Sequence, residues 1–195
     1  MTMSFLKDWF ENGNDSDEVL KKKIAANWDE KTLKRHLDII NCPKGINSVI
    51  EIGGGVGRIL KELKDIELRV GIEASEDMIR LGKEYCKDTN IQLIKVSGEG
   101  NIPVPSNQFD FAFSLTVFQH IPNIDTVKRY ISEMYRCLVV GGKMRIQILL
   151  KDEKPNNKFW SYHSPEELME YMKDIGFKEI KKEDYARWCV LEAIK

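Results

Sequence analysis

Between Ser48 and Leu150 the chain alternates short β-type runs with amphipathic stretches, and this alternation constrains the fold more than any other feature. "SVIEI" (Ser48 to Ile52), "LRVGIE" (Leu68 to Glu73), "IQLIKV" (Ile91 to Val96), "FDFAFSL" (Phe109 to Leu115) and "GGKMRIQILL" (Gly141 to Leu150) read as strands. "GRILKELK" (Gly57 to Lys64), Ser75 to Lys87 and Asn123 to Leu138 read as helices between them. Strands joined through helices pair in parallel, and a parallel sheet must be covered on both faces. The pattern therefore predicts an α/β fold, doubly wound, with a mostly parallel sheet between two helical layers.

The flanks complete the plan. A helix is predicted from Val19 to Ile40, where Ile24, Trp28, Leu33, Leu37 and Ile40 form one apolar stripe and "CPKG" (Cys42 to Gly45) stops it. "ENGNDSDE" (Glu11 to Glu18) is polar and turn-rich and precedes it. Ser75 is the expected N-cap of its helix, with Glu76 and Asp77 complementing the dipole. Past Leu150, Ser164 is an N-cap, Pro165 the first helical residue, Glu167 the partner in a capping box and Gly176 the helix end. Two last runs, Phe177 to Lys181 and Tyr185 to Ile194, lie too close for a helical crossover and should pair antiparallel. The expectation is a seven-stranded sheet with an antiparallel last strand in a single domain of 195 residues.

Thirty basic and 31 acidic side chains leave a net charge of −1, which argues against an overall dependence on phosphate contacts and against nucleic acid as a partner. Cys42, Cys86, Cys137 and Cys189 form no C-x-x-C pair, and His36, His120 and His163 are scattered. Free thiols and no metal site are expected. No apolar run has membrane-spanning length, and "MTMSFLKDWF" lacks the apolar centre of a signal peptide, so a cytoplasmic protein is expected.

The chemistry concentrates in "VIEIGGGVGRIL" (Val49 to Leu60), where the first strand ends. A dinucleotide turn wants G-x-G-x-x-G. Counting from Gly53 puts Arg58 at the third glycine, and counting from Gly54 puts Val56 at the second. What stands there is E-x-G-x-G-x-G: Glu51, Gly53, Gly55 and Gly57. Glu51 would repel a pyrophosphate and attract a cation. The competing reading is that the glycines serve only a tight strand-to-helix turn.

Glu51 with these glycines, followed by Glu73 at the end of the next strand, resembles the class I S-adenosylmethionine-dependent methyltransferases, which have a Rossmann-like fold. The resemblance runs over Asn47 to Leu150 and more loosely beyond. It implies S-adenosyl-L-methionine as cofactor and S-adenosyl-L-homocysteine as product. It implies that Gly53, Gly55 and Gly57 approach the methionine part, whose amino group and sulfonium are cationic and suit Glu51. By the same resemblance Glu73 binds both ribose hydroxyls, and Ala74 and Met78 of "ASEDM" flank the adenine. "SGEGNIP" (Ser97 to Pro103) would set Glu99 on the adenine amino group with the Gly100 backbone beside it, although the family more often has Asp there. "FDFAFSLTVFQHIPN" would bring Ser114 and Leu115 to the methionine end. "LVVGGKMRI" resembles the turn into the fifth strand, with Val140 at a frequent proline. Arg58 is a candidate for the cofactor carboxylate, with an ion pair at the helix start as the alternative.

Methyl transfer is an in-line displacement at an already activated carbon, so alignment matters more than a general base. His120, His163 and Tyr162 are the catalytic candidates, the last two with Trp160 in the region that shapes acceptor pockets in similar enzymes. For His120 the alternative is a bond to the loop backbone, and for His163 a place beside the Ser164 cap. Residues 1–44 would form a helical lid in which Trp9, Phe10 and Trp28 close over the site, the alternative, preferred for Trp28 in the apolar stripe, being that they pack the helix on the sheet; 45–150 would form the cofactor core, and 151–195 the last helix and antiparallel strands. "SLTVF" lacks the Asn/Asp-Pro-Pro-aromatic motif of amide and base N-methylating relatives, which points to a small molecule or peptide acceptor. The alternatives are a non-catalytic cofactor binder, acting as sensor or partner subunit, and a nucleotide-dependent dehydrogenase, which Arg58 and Glu51 disfavour.

Overall fold

The computed structural model describes residues 29–150 and 160–195. Its elements are α1 (Glu30–Ile40), β1 (Ser48–Ile52), α2 (Arg58–Glu62), β2 (Leu68–Glu73), α3 (Glu76–Tyr85), β3 (Ile91–Lys95), β4 (Phe109–Ser114), a 3-10 turn (Phe118–His120), α4 (Ile124–Cys137), β5 (Leu138–Leu149), α5 (Pro165–Asp174), β6 (Lys178–Tyr185) and β7 (Trp188–Ile194). The strands form one seven-stranded sheet in the order β3-β2-β1-β4-β5-β7-β6. β1 to β5 pair in parallel, and β7 runs antiparallel to both β5 and β6. This is the predicted doubly wound sheet with its antiparallel last strand.

The pleat sends β1 to both faces. Ile50 and Ile52 join a core with Val127, Ile131 and Met134 of α4 and with Leu168 and Met172 of α5. Val49 faces the other way, onto Ile39 and Ile40 of α1 and Ile59 and Leu60 of α2. Each fully buried side chain of this size contributes about 1.5–3 kcal/mol. The core on the α4 side runs from Ile50 to Ala193, so the last strands complete it.

Several boundaries differ from the sequence reading. The helix expected to run through Asp29 begins at Glu30, because Asp29 is extended (φ −65°, ψ 169°) and its carboxylate accepts from the Thr32 N–H at 2.7 Å. The predicted part before Asp29, with Trp9, Phe10 and Trp28, lies outside the described residues. Ser164 caps α5, accepting from the Glu167 N–H at 3.2 Å, but the Glu167 carboxylate does not close a capping box. It pairs with Lys128 of α4 at 2.7 Å, an ion pair between two helices. β5 starts at Leu138 rather than Gly141. The Gly141 N–H donates to Lys195 O and the Lys195 N–H to Gly142 O, both at 2.9 Å, so the final residue extends the ladder across the two glycines.

Arg145 of β5 ties three strands to α1. Its Nε donates to Ile39 O at 2.7 Å, Nη1 to Glu192 at 2.6 Å, and Nη2 to Glu183 at 2.5 Å. The guanidinium is 2% exposed, so these acceptors compensate a charge that would be costly to bury alone.

Candidate active site

Strand order reverses at β1, which lies between β2 and β4, and ligands of open α/β sheets bind beyond the strand ends at such a point. The glycine turn leaves β1 there. Gly53, Gly55 and Gly57 have φ of +75°, +54° and +84°, conformations that a side chain disfavours. Gly53 has a second constraint. A Cβ on it would lie 2.1 Å from Val117 Cγ2, because the segment leaving β4 closes over the turn. Gly54 answers to packing: its Cβ would stand 3.2 Å from the Cα of Gly71 in β2. The N–H groups of Gly53 and Gly54 both donate to Ile72 O, at 2.7 and 3.0 Å.

Glu73 ends β2 and organises the turn. Its Oε2 accepts from the Gly55 N–H at 2.9 Å, and its Oε1 from the N–H groups of Ala74 and Ser75, both at 2.7 Å. Three of about four carboxylate acceptor positions are thus used by backbone. Burial pushes the Glu73 carboxyl up, and the three N–H groups and Lys95 counter that shift.

Glu51 is different. It is 4% exposed, and Oε2 has no hydrogen-bond partner. Burial above all, and then the nearby Glu73 charge, raise its carboxyl well above the usual range. A buried carboxyl with a free oxygen can receive a cation, and it fits a cofactor that ends in an ammonium group. It does not fit a pyrophosphate.

The remaining candidates divide. Ala74 lies at the start of α3, where Ser75 accepts from the Met78 N–H at 3.3 Å, and buried Met78 packs with Val56 and Leu81. Gly100 has φ +96° and lies against α4, where its Cβ would meet Arg129 Cβ at 2.6 Å. Glu99 turns outward, its carboxylate 3.8 Å from Arg129 and its carbonyl held by Arg129 Nε at 2.8 Å. Ser114 is fully buried and donates to Ile52 O at 2.9 Å, which ties β4 to β1. Leu115 packs in the core beside α1 and α2. Arg58 opens α2, where burial lowers it and the charges of Tyr85, Asp29 and Glu62 counter that shift. His163 Nε2 donates to Phe118 O at 3.2 Å and to Ile121 O at 2.9 Å. Two carbonyls can only accept, so the proton is on Nε2, and burial holds the ring below its ordinary range. The ring clamps the 3-10 turn that follows β4. His120 lies in that turn, half-buried and engaged with neighbours. Tyr162 is half-buried one residue before His163, and Trp160 packs on Trp188 at 6.2 Å.

Sequence reasoning missed Gly71, Gly82, Thr116 and Gln147. Gly71 in mid-strand and Gly82 in mid-helix are themselves signals of close approach. A Cβ on Gly82 would meet Leu93 Cδ1 at 2.3 Å and the Val56 backbone at 3.1 Å. Thr116 has φ +57°, a strained conformation for a β-branched residue, and its N–H donates to Gln147 Oε1 at 3.1 Å. No local sequence feature marks that pair.

A doubly wound sheet whose first turn is glycine-lined, headed by an unpaired buried acid and closed by a second acid at the end of β2, defines a Rossmann-like S-adenosylmethionine-dependent methyltransferase. Residues 50–146 match the family described as a methyltransferase domain, and the chain belongs to the class I methyltransferases. Its cofactor is S-adenosyl-L-methionine. An uncharacterized protein of Methanocaldococcus jannaschii is 30% identical over 89% of this chain and 77% of its own length. The tRNA (carboxymethyluridine(34)-5-O)-methyltransferase of Schizosaccharomyces pombe is 25% identical over 61% of this chain, which spans 49% of that enzyme. Among solved structures, Haemonchus contortus phosphoethanolamine N-methyltransferase 2 in complex with S-adenosyl-L-methionine superposes with a TM-score of 0.76. It shares 16% identity over 97% of this chain and 59% of that one, a likeness of fold.

Proposed function

We propose that this methyltransferase holds the cofactor's amino group beside Glu51, its ribose at Glu73 and its adenine between Ala74 and Met78, and methylates a small molecule or peptide. The observation that carries the reading is the buried Glu51 carboxyl at the glycine turn, whose Oε2 has no hydrogen-bond partner. The cofactor supplies a methyl group already activated by a sulfonium. The chain's own work is to align the acceptor with it and keep water away. Gly53, Gly55 and Gly57 let the backbone come close to the methionine part, and Gly100 does so at the adenine. Glu73 has one acceptor position left for a ribose hydroxyl. Ser114 and Leu115 support the methionine end through the sheet, since the hydroxyl is spent on Ile52 O. His163 positions the turn that carries His120, and an acceptor proton is lost to solvent or to His120.

The balanced charge of −1 supports an acceptor other than nucleic acid, and a cytoplasmic setting fits the free thiols. Among the described residues no helix is long and apolar enough to cross a membrane. RNA is the second reading, favoured by the S. pombe relative. Isothermal titration tests the cofactor site. Binding of S-adenosylhomocysteine that Glu73→Ala weakens supports it, and no binding at millimolar concentration rejects it. Transfer of a tritiated methyl group to a fractionated cell extract tests the acceptor. Label in the small-molecule or peptide fraction supports this reading, and label that ribonuclease releases supports RNA instead.

A further inference from the structure

Glu51 lies in a row that crosses the sheet. Gly71 of β2 pairs with Glu51, Glu51 with Phe113 of β4, Phe113 with Arg145 of β5, and Arg145 with Glu192 of β7. Arg145 is therefore two strands from Glu51, about 10 Å at the usual strand spacing. Its guanidinium lies on the same face but is spent on other acceptors, Ile39 O, Glu183 and Glu192. One neighbouring charge acts directly on Glu51. From β2 comes Glu73, of like charge, with Lys95 of β3 acting on it in turn. From β4, Phe113 and Ser114 carry no charge, and the glycine turn has none. On α1 and α2, which cover this face, Arg58 acts on His36, and Tyr85, Asp29 and Glu62 act on Arg58.

An ionised Glu51 in these surroundings would be a buried carboxylate facing a second carboxylate, with Oε2 unpartnered. We propose that Glu51 is a neutral carboxylic acid until an alkylammonium group is bound beside it, so that uptake of an amine-bearing cofactor releases one proton. This rests on the assignment of Glu51 to the cofactor's amino group. The balance is simple. The Glu51 O–H bond breaks, the proton goes to solvent, and the ammonium keeps its own protons and pairs with the new carboxylate. A free α-amino group is charged below about pH 7.7. In that range affinity for the amine-bearing ligand rises tenfold per pH unit, one proton being released per molecule bound. Above it, the amine arrives neutral and takes the Glu51 proton, and net release disappears.

The experiment is titration of the full chain with S-adenosylhomocysteine and with 5′-methylthioadenosine, which lacks the amino-acid tail. Both are run at about pH 6.5, below the amine's range, in buffers of low and high ionisation heat. The expected result is close to one proton released with S-adenosylhomocysteine, none with 5′-methylthioadenosine, and none with Glu51→Gln. The two-ligand comparison on the wild-type chain decides the matter even if Glu51→Gln does not fold. Binding of S-adenosylhomocysteine with no dependence on buffer overturns the inference while leaving the cofactor site intact. Equal release with both ligands overturns it as well, because the proton then comes from elsewhere. If neither ligand binds, the proposed function falls and this inference with it.

Discussion

A Cβ on Gly54 would stand 3.2 Å from the Cα of Gly71 and 3.5 Å from Glu51 Oε2. The turn thus lies against the backbone of β2, which cannot move aside as a side chain can. Gly54→Ala should lower stability by about 1–3 kcal/mol, the range for overpacking. Gly55→Ala has open space within 4 Å and only its φ of +54° to strain. It should cost about 1–2 kcal/mol of stability, and it should weaken S-adenosylhomocysteine binding further by placing a methyl group at the turn. Urea unfolding and calorimetric titration of the two variants read the contrast.

Glu51→Gln should make the ligand-free protein more stable than wild type near pH 8, with the gap closing as pH falls. The folded-state carboxyl titrates well above its ordinary value, burial being the main cause and Glu73 the second. Above the unfolded value the unfolded chain gives up this proton while the folded chain retains it, so wild-type stability falls as pH rises. The amide cannot ionise and escapes that loss. Thermal unfolding across pH 5 to 8 measures it, and parallel curves for the two proteins would remove Glu51 as the source.

His36 gives the opposite slope. It is 7% exposed in α1, and burial, then Arg35 and Arg58, lower it from 6.5 to about 4. The stability contributed by the neutral ring is complete above the unfolded value and is lost as pH falls from 6.5 toward 4. At about 1.4 kcal/mol per pH unit the loss is roughly 3 kcal/mol. His36→Gln should flatten that part of the acid limb in urea titrations, relative to wild type.

Arg145→Leu should be more damaging than any substitution at the glycine turn. It leaves the Glu192 carboxylate without its 2.6 Å partner and Ile39 O without a donor. Removing one member of a buried ion pair costs about 3–5 kcal/mol. Denaturant midpoints test this, and hydrogen exchange in α1 should rise with them, since Arg145 ties that helix to the sheet.

The order of elements was legible because burial imposes a period on each segment, and the glycine turn was legible because glycines at φ above zero have few substitutes. The cap at Ser75 could be read for the same local reason. The fate of Glu99 could not. Arg129 is 30 residues away in sequence, and only the packing of α4 beside the loop brings them together. His163 was ambiguous in the same way, since its carbonyl partners at Phe118 and Ile121 lie more than 40 residues upstream. Glu167 looked like a capping-box residue because its spacing from Ser164 is right, yet Lys128 is the partner that tertiary packing supplies.

The sequence by itself determined the sheet, the switch point and the acid–glycine pattern, since these follow from periodicity and from backbone conformations that few residues adopt. It also determined that an acid precedes the turn. Only the tertiary structure decided the state of that acid. Arg145 stands level with Glu51 in the sheet but is bonded to Glu183, Glu192 and Ile39 O, and Glu73 is already held by three backbone N–H groups. Charge compensation inside a protein depends on distance and orientation, which sequence spacing does not encode across strands. Gly54 had no role in the sequence for the same reason: its neighbour, Gly71, belongs to another strand.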